Sequence, residues 1–210
     1  MKTIDQLEVR GQRILVRVDY NVPLREDGEV ANNQRIVATI PTLTSILERG
    51  GRAVLVSHLG RPKAAVDPKF SLRPVAHELA RVLGREVQFS THTVGAEAVA
   101  ATTALNDGEV LLMENVRFFP GEESGDADFA AQLAELGDAY VNDAFGTAHR
   151  AHASTAVVAQ HFKGRSAVGH VMANEIKNVD RVLASQEKPA VAVVGGSKVS
   201  SKIVILERLL

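Results

Sequence analysis

Short, nearly uninterrupted apolar runs alternate with stretches in which apolar residues recur every three or four positions, and this rhythm persists from one end of the chain to the other. The runs at 14–18, 53–56, 110–113 and 139–141 have the length and continuity of strands buried on both faces of a parallel sheet. The first helical stretch is capped by Asn32 or Asn33 and runs to about residue 49, with Ile36, Ile40, Leu43, Ile46 and Leu47 at helical spacing. Pro41 lies inside it, which predicts a kink or a late start, and Gly50-Gly51 ends it. Ser71 precedes a second helix that has Pro74 in its first turn and Gly84 just past its end. Further helices are expected over 95–105 and 126–136, the latter with Phe129, Leu133 and Leu136 turned inward. The acidic segment 122–128 reads as a solvated helix start, with carboxylates near the positive end of a helix dipole. Residues 168–171 read as a last strand.

Strands alternating with helices specify an α/β fold: a parallel sheet with helices on both faces, a Rossmann-like three-layer arrangement. A boundary is expected near residue 172, so that 1–172 forms one domain and 173–188 an amphipathic connecting helix interrupted at Pro189. The run 190–194 then reads as a new buried strand, followed by Gly195-Gly-Ser-Lys-Val-Ser-Ser-Lys202 and a helix to Leu210. The segment 189–210 would be the first strand–helix unit of a second, truncated domain. Such a unit cannot cover its own apolar faces, so it is expected to be disordered, to pack on the first domain, or to promote self-association.

Composition narrows the function. With 24 basic against 25 acidic residues the net charge is −1, so no global basic field draws nucleic acid. Aromatic residues make up only 4%, too few for base-stacking platforms, and there is no cysteine for disulfides or thiol catalysis. The opening Met1-Lys-Thr-Ile-Asp-Gln-Leu-Glu8 has no apolar core of signal-peptide length, and no stretch approaches the ~20 apolar residues of a membrane span. A cytoplasmic protein without nucleic-acid or membrane partners is expected.

The candidate chemistry sits where the strands end. Arg17-Val-Asp-Tyr-Asn-Val-Pro23, Ser57-His-Leu-Gly-Arg-Pro62, Glu114-Asn-Val-Arg-Phe-Phe-Pro-Gly121 and Asn142-Asp-Ala-Phe-Gly-Thr-Ala-His-Arg150 each directly follow or close an apolar run. Ligands of open α/β sheets bind beyond the carboxyl ends of the strands, so Asp19, Asn21, His58, Arg61, Arg117 and Arg150 are expected at one sheet edge. Arg35 joins them from the first helix start, where backbone N–H groups also favour anions. Guanidinium forks match phosphate and carboxylate oxygens in pairs. Asp19 and Asn21 can take ligand hydroxyls, although Asp19 can equally orient a neighbouring arginine. The combination points to a phosphorylated hydroxy acid or sugar acid. His149 and His152 read as structural, and no His-Glu-x-x-His zinc spacing occurs. Lys198 and Lys202 share one helical face after a glycine turn, but the P-loop pattern is missing. No serine is paired with a base, and none is required if a phosphoryl group passes to or from a carboxylate, which is already ionised near neutrality. Catalysis then reduces to positioning and charge neutralisation, the work of arginine and lysine.

Taken in order, these motifs, together with Arg35-Ile-Val-Ala-Thr-Ile-Pro41, Asn142 through Ser154, and Gly195 through Lys202, resemble the phosphoglycerate kinase family. Tyr20 stands where the family more often has Phe, and Ser201 where it commonly has Asp. The resemblance implies a hinge-bending glycolytic kinase that transfers phosphate between 1,3-bisphosphoglycerate and ADP to give 3-phosphoglycerate and ATP. It implies that Asp19, Tyr20, Asn21, Arg35, His58, Leu59, Gly60, Arg61, Arg117 and Arg150 form the substrate site. Arg35 and Lys198 would be catalytic, and Lys198 and Lys202 would contact nucleotide phosphates. It further implies Mg2+ accompanying ADP or ATP, its ligand outside this sequence, in an enzyme that is usually monomeric. A family member's second domain, with the adenine pocket and glycine-rich phosphate loop, has no counterpart in these 210 residues. The chain is therefore expected to bind 3-phosphoglycerate weakly and not to turn over. The alternatives are a stand-alone module that captures phosphoglycerate or another polyanion without chemistry, and a structural reading in which the basic edge only solvates the sheet.

Overall fold

The structure is a computed structural model that describes residues 1–63 and 65–184. Six strands form a single all-parallel sheet: β1 (Arg13–Val18), β2 (Arg52–Val56), β3 (Gln88–Ser90), β4 (Val110–Met113), β5 (Ala139–Asp143) and β6 (Ser166–Val168), in the order β3-β4-β2-β1-β5-β6. The helices are α1 (Gln34–Glu48), α2 (Arg73–Leu83), α3 (Ala96–Thr103), α4 (Pro120–Ser124), α5 (Ala127–Ala134) and α6 (His170–Ala184). The chain divides into two compact units, Met1–Ala173 and Asn174–Leu210, and α6 begins in the first. Within the second unit the described part is helical. The segment 189–210, with the expected strand, Lys198 and Lys202, lies outside the described residues.

Strand side chains alternate between faces, and each face has its own core. Ile14, Val16 and Val18 with Ala53, Leu55, Val110, Leu112, Ala139 and Val141 pack under Ile36, Leu43, Ile46 and Leu47 of α1 and Val75 and Leu79 of α2. Leu15, Val54, Val56, Leu111, Met113 and Tyr140 face the other way, against Ala98 of α3, Phe129 and Leu133 of α5, and Val158 and Phe162. Two buried faces explain why the strands read as continuous apolar runs.

Three expectations are corrected, those on Pro41, on the last strand and on the acidic turn, while the expected Asn32 or Asn33 cap is found. Helix α1 does not start late: it begins at Gln34, and Pro41 lies in its interior. The proline removes the N–H that would reach the carbonyl of Val37, and Val37 is on the exposed side, where water can serve that carbonyl. The cap of α1 is shared: Asn33 sits at the N-cap position, but its amide donates to Glu78 Oε1 (2.6 Å), while Asn32 Oδ1 accepts from the N–H of Gln34 (2.9 Å). The last strand is Ser166–Val168 rather than 168–171. Helix α6 starts at His170 because Asp143, at the end of β5, accepts the N–H groups of Val171 (2.9 Å) and Met172 (3.2 Å), a helix start capped from a distant strand. The acidic turn is not wholly solvated either, since Glu122 is fully buried. Strand β3 carries too short an apolar pattern to be read from sequence.

Candidate functional site

Beyond the carboxyl ends of the strands lies a polar cavity of about 290 Å3. Asp19 and Asn21 enter it after β1, His58, Gly60 and Arg61 after β2, and Arg117 after β4. Gly146, Thr147 and Arg150 enter after β5, and Arg35 enters from the first turn of α1. Neighbouring strands β2 and β5 flank β1 on opposite sides, so the cavity sits where the chain reverses its direction of growth across the sheet, the usual ligand crevice of this architecture.

The loops that deliver these groups are tied to one another. Asn21 Oδ1 accepts from the N–H of Gly60 (2.8 Å), and Arg117 Nη1 donates to the Gly60 carbonyl (2.8 Å). Asn115 Nδ2 donates to the carbonyls of Leu59 (2.8 Å) and Phe70 (2.9 Å), while its Oδ1 accepts from the N–H of Arg117 (3.0 Å). Buried Glu114 accepts from the N–H of Leu72 (2.8 Å) and from the Ser71 hydroxyl (2.7 Å), anchoring the start of α2. The first two residues of the Glu114-Asn115 motif thus hold loops, and Arg117 faces the cavity.

Electrostatically the cavity is a cationic bowl. It presents four guanidinium groups and one carboxylate. That carboxylate, Asp19, accepts from Arg35 Nη1 at 2.7 Å, so one of the two readings open for Asp19, an orienting partner for an arginine, is realised. Arg117 is 8% exposed and its Nε has no partner among the described residues. Burial lowers its affinity for the proton somewhat, with nearby Glu123 acting against this, yet an arginine stays charged. His58 is also buried. Desolvation, reinforced by the charges of Arg17, Arg117 and Arg35, drives its pKa down to about 2, so the ring is neutral at pH 7. Burial likewise lowers His152, partly offset by Glu122 at 3.8 Å. A bare divalent cation does not fit this wall: the lone carboxylate is already paired and the remaining charges repel it. Among the described residues no three His, Asp or Glu side chains gather as a metal group.

Two residues expected at the site turn their side chains elsewhere. Tyr20 is fully buried with its hydroxyl 2.7 Å from Thr39 Oγ1, and Leu59 packs into the core. They flank cavity residues in sequence, but neighbouring side chains at a strand end diverge. Sequence reasoning missed the cavity-lining Gly146 and Thr147, and it missed Arg17 beneath the floor. Arg17 is 1% exposed; its Nε donates to Ser154 Oγ (2.8 Å), one Nη donates to the Val18 carbonyl, and Nη2 meets His58 Nδ1 at 3.0 Å. A charge inside the otherwise apolar run 14–18 was the available signal. Lys198 and Lys202 lie outside the described residues.

This arrangement has close counterparts. Residues 4–210 match the family model described as phosphoglycerate kinase. The chain is 50% identical over 208 residues to the phosphoglycerate kinase of Akkermansia muciniphila, covering 99% of this chain and 51% of the relative. It is also 50% identical over 209 residues to that of Desulforudis audaxviator, covering 100% of this chain and 53% of the relative. Among solved structures, phosphoglycerate kinase from Coxiella burnetii matches with a TM-score of 0.85 and 39% identity, covering 98% of this chain and 51% of that one. The enzyme from Pyrococcus horikoshii matches with a TM-score of 0.87 at 27% identity, covering 99% and 53%. The chain spans about half the length of these relatives. With a family model matched almost from end to end and a parallel sheet whose strand ends converge on a cationic cavity, the chain belongs to the phosphoglycerate kinase family.

Proposed function

We propose that the cavity binds the phosphoglycerate substrate of a phosphoglycerate kinase, an enzyme that moves a phosphoryl group between 1,3-bisphosphoglycerate and ADP to give 3-phosphoglycerate and ATP. The observation that carries this reading is the meeting of Arg35, Arg61, Arg117, Arg150 and His58 around one cavity of about 290 Å3. Four fixed positive groups call for a compact, multiply charged anion, and the hydrogen-bonding pair Asp19 and Asn21 calls for a hydroxyl beside it. In the proposed pose His58, Arg61, Arg117 and Arg150 hold the non-transferred phosphate. Asp19 and Asn21 take the hydroxyl region near the carboxylate, and Arg35 faces the phosphoryl group in flight.

The acceptor carboxylate arrives ionised, so no base has to remove a proton. The residues contribute orientation and neutralise the three equatorial oxygens of the transferring group. Lys198 would approach that group from the nucleotide side and Lys202 would contact nucleotide phosphate. We assign 1–172 as the phosphoglycerate-binding domain, 173–188 as the interdomain helix and 189–210 as the opening of a nucleotide-binding domain. In a complete enzyme, monomeric and cytoplasmic, Mg2+ would accompany ADP or ATP; no step assigned to the described residues runs through it.

Calorimetry with the 210-residue chain tests the proposal. Weak binding of 3-phosphoglycerate, reduced by added salt and by Arg61→Ala or Arg150→Ala, is expected, with no turnover in a coupled ATP-dependent assay. Absence of binding at millimolar ligand would remove the substrate assignment. Appreciable turnover by the isolated chain would remove the view that a further nucleotide domain is needed.

A further inference from the structure

Beneath the cavity runs a buried chain of polar side chains that the proposed reaction does not use. Glu122, in α4, accepts from the N–H of Ser154 on Oε2 (2.9 Å) and from the Ser154 hydroxyl on Oε1 (2.6 Å). Ser154 Oγ in turn accepts from Arg17 Nε (2.8 Å), and Arg17 Nη2 meets His58 Nδ1 at 3.0 Å. Glu122 and Ser154 are 0% exposed, Arg17 1% and His58 3%. Among the described residues no carboxylate lies within salt-bridge distance of Arg17. Its charge is balanced at one remove, through the serine hydroxyl.

The proton positions follow from chemistry. A guanidinium has donors only, so whatever faces it must accept. Ser154 Oγ therefore accepts from Arg17 and spends its one proton on Glu122. His58 Nδ1 must present a lone pair. An Nδ1–H tautomer, or an imidazolium, would set N–H against N–H at 3.0 Å. The remaining ring nitrogen, Nε2, then carries the hydrogen and has no partner among the described residues, on a side chain that lines the cavity.

We propose that Arg17 is a positioning residue for His58: held by Glu122 through Ser154, it fixes the imidazole as the Nε2–H tautomer, so that His58 acts on an anion in the cavity as a neutral hydrogen-bond donor. The role in ligand binding rests on the phosphoglycerate reading above; the tautomer does not. The arrangement explains why an arginine occupies a buried strand position, where its desolvation is costly. It also supplies a donor that the surrounding guanidinium groups tolerate, since a protonated ring would add a further positive charge among them.

The test reads both ring nitrogens of His58 by two-bond 1H–15N correlation in the histidine-labelled 210-residue chain at neutral pH without ligand. The expected spectrum has Nε2 protonated and Nδ1 bare. Ser154→Ala is expected to give an averaged mixture of tautomers and about tenfold weaker binding of 3-phosphoglycerate, and Ser154→Thr, which keeps the hydroxyl, to restore both. An Nδ1–H or averaged ring in the unaltered chain overturns the proposal even if no variant folds. A folded Ser154→Ala chain with an unchanged tautomer overturns the part assigned to Ser154 and Glu122. If the tautomer behaves as expected while 3-phosphoglycerate fails to bind the unaltered chain, the positioning stands and the substrate assignment falls.

Discussion

Gly60 is the point where three site loops are pinned together, and replacing it should be far more damaging than the loss of a surface glycine. Its φ is +61°, its N–H is held by Asn21, its carbonyl by Arg117, and it directly precedes Arg61. A Cβ at this position would sit 2.4 Å from the Phe70 ring, much closer than carbon atoms allow. Gly60→Ala therefore combines a left-handed backbone cost of about 1–2 kcal/mol with an overpacking cost of about 1–3 kcal/mol, or roughly 2–5 kcal/mol together. Gly28 supplies the control, since its φ is +86° but a Cβ there would meet nothing within 4 Å. Gly28→Ala should cost only the backbone part, about 1–2 kcal/mol. Urea unfolding followed by far-UV circular dichroism gives the two stabilities under one denaturant slope. Calorimetry should show that Gly60→Ala, which displaces the Arg117 and Asn21 contacts, weakens 3-phosphoglycerate binding about tenfold, while Gly28→Ala does not. Equal stabilities and equal affinities for the two variants would refute the reasoning.

Other consequences follow from individual groups. Arg117→Lys keeps a charge but loses the planar fork that grips the Gly60 carbonyl, so 3-phosphoglycerate affinity measured by calorimetry should fall about tenfold or more, with a stability loss of about 0.5–1.5 kcal/mol from the lost hydrogen bond. The pKa of His58 is depressed to about 2, so the unfolded chain takes up a proton there before the folded one does. The stability this group contributes is present above about pH 6.5 and is lost as pH falls toward 2, at up to ~1.4 kcal/mol per pH unit; His58→Gln should flatten that acid slope in urea titrations. The Asp143 carboxyl is shifted the other way, upward by burial, so its contribution is fullest below the ordinary carboxylate pKa and declines as pH rises through its folded value. Asp143→Asn should remove that decline, and Asp143→Ala should cost about 0.5–2 kcal/mol through loss of the cap on α6, both read from thermal or urea midpoints against pH.

Much of this molecule is legible in its sequence because parallel strands buried on both faces leave unbroken apolar runs. Four of the six strands announce themselves in this way, and ligand groups at the ends of β1, β2, β4 and β5 follow from where those runs stop. What stays hidden depends on contacts distant in sequence. Nothing local to residues 168–171 says that Asp143 will cap a helix there, so an apolar stretch passes for a strand. Glu122 looks like one of several solvated acids until Ser154, thirty-two residues on, is found against it in the core. Tyr20 and Leu59 carry motif membership without cavity contact, because alternation at a strand end sends adjacent side chains to opposite places. Arg17 was conspicuous as a charge within β1, but its partners come from β2's end and from the segment beyond β5.

Whether arginines delivered by separate elements form one receptor for a phosphorylated glycerate is tested most directly by a 1H–15N amide titration of the chain with 3-phosphoglycerate. Saturable shifts are expected at Asn21, Gly60, Arg61, Gly146, Thr147 and Arg150, abolished by Arg61→Ala combined with Arg150→Ala. Shifts centred on another surface, or none at millimolar ligand, would contradict it.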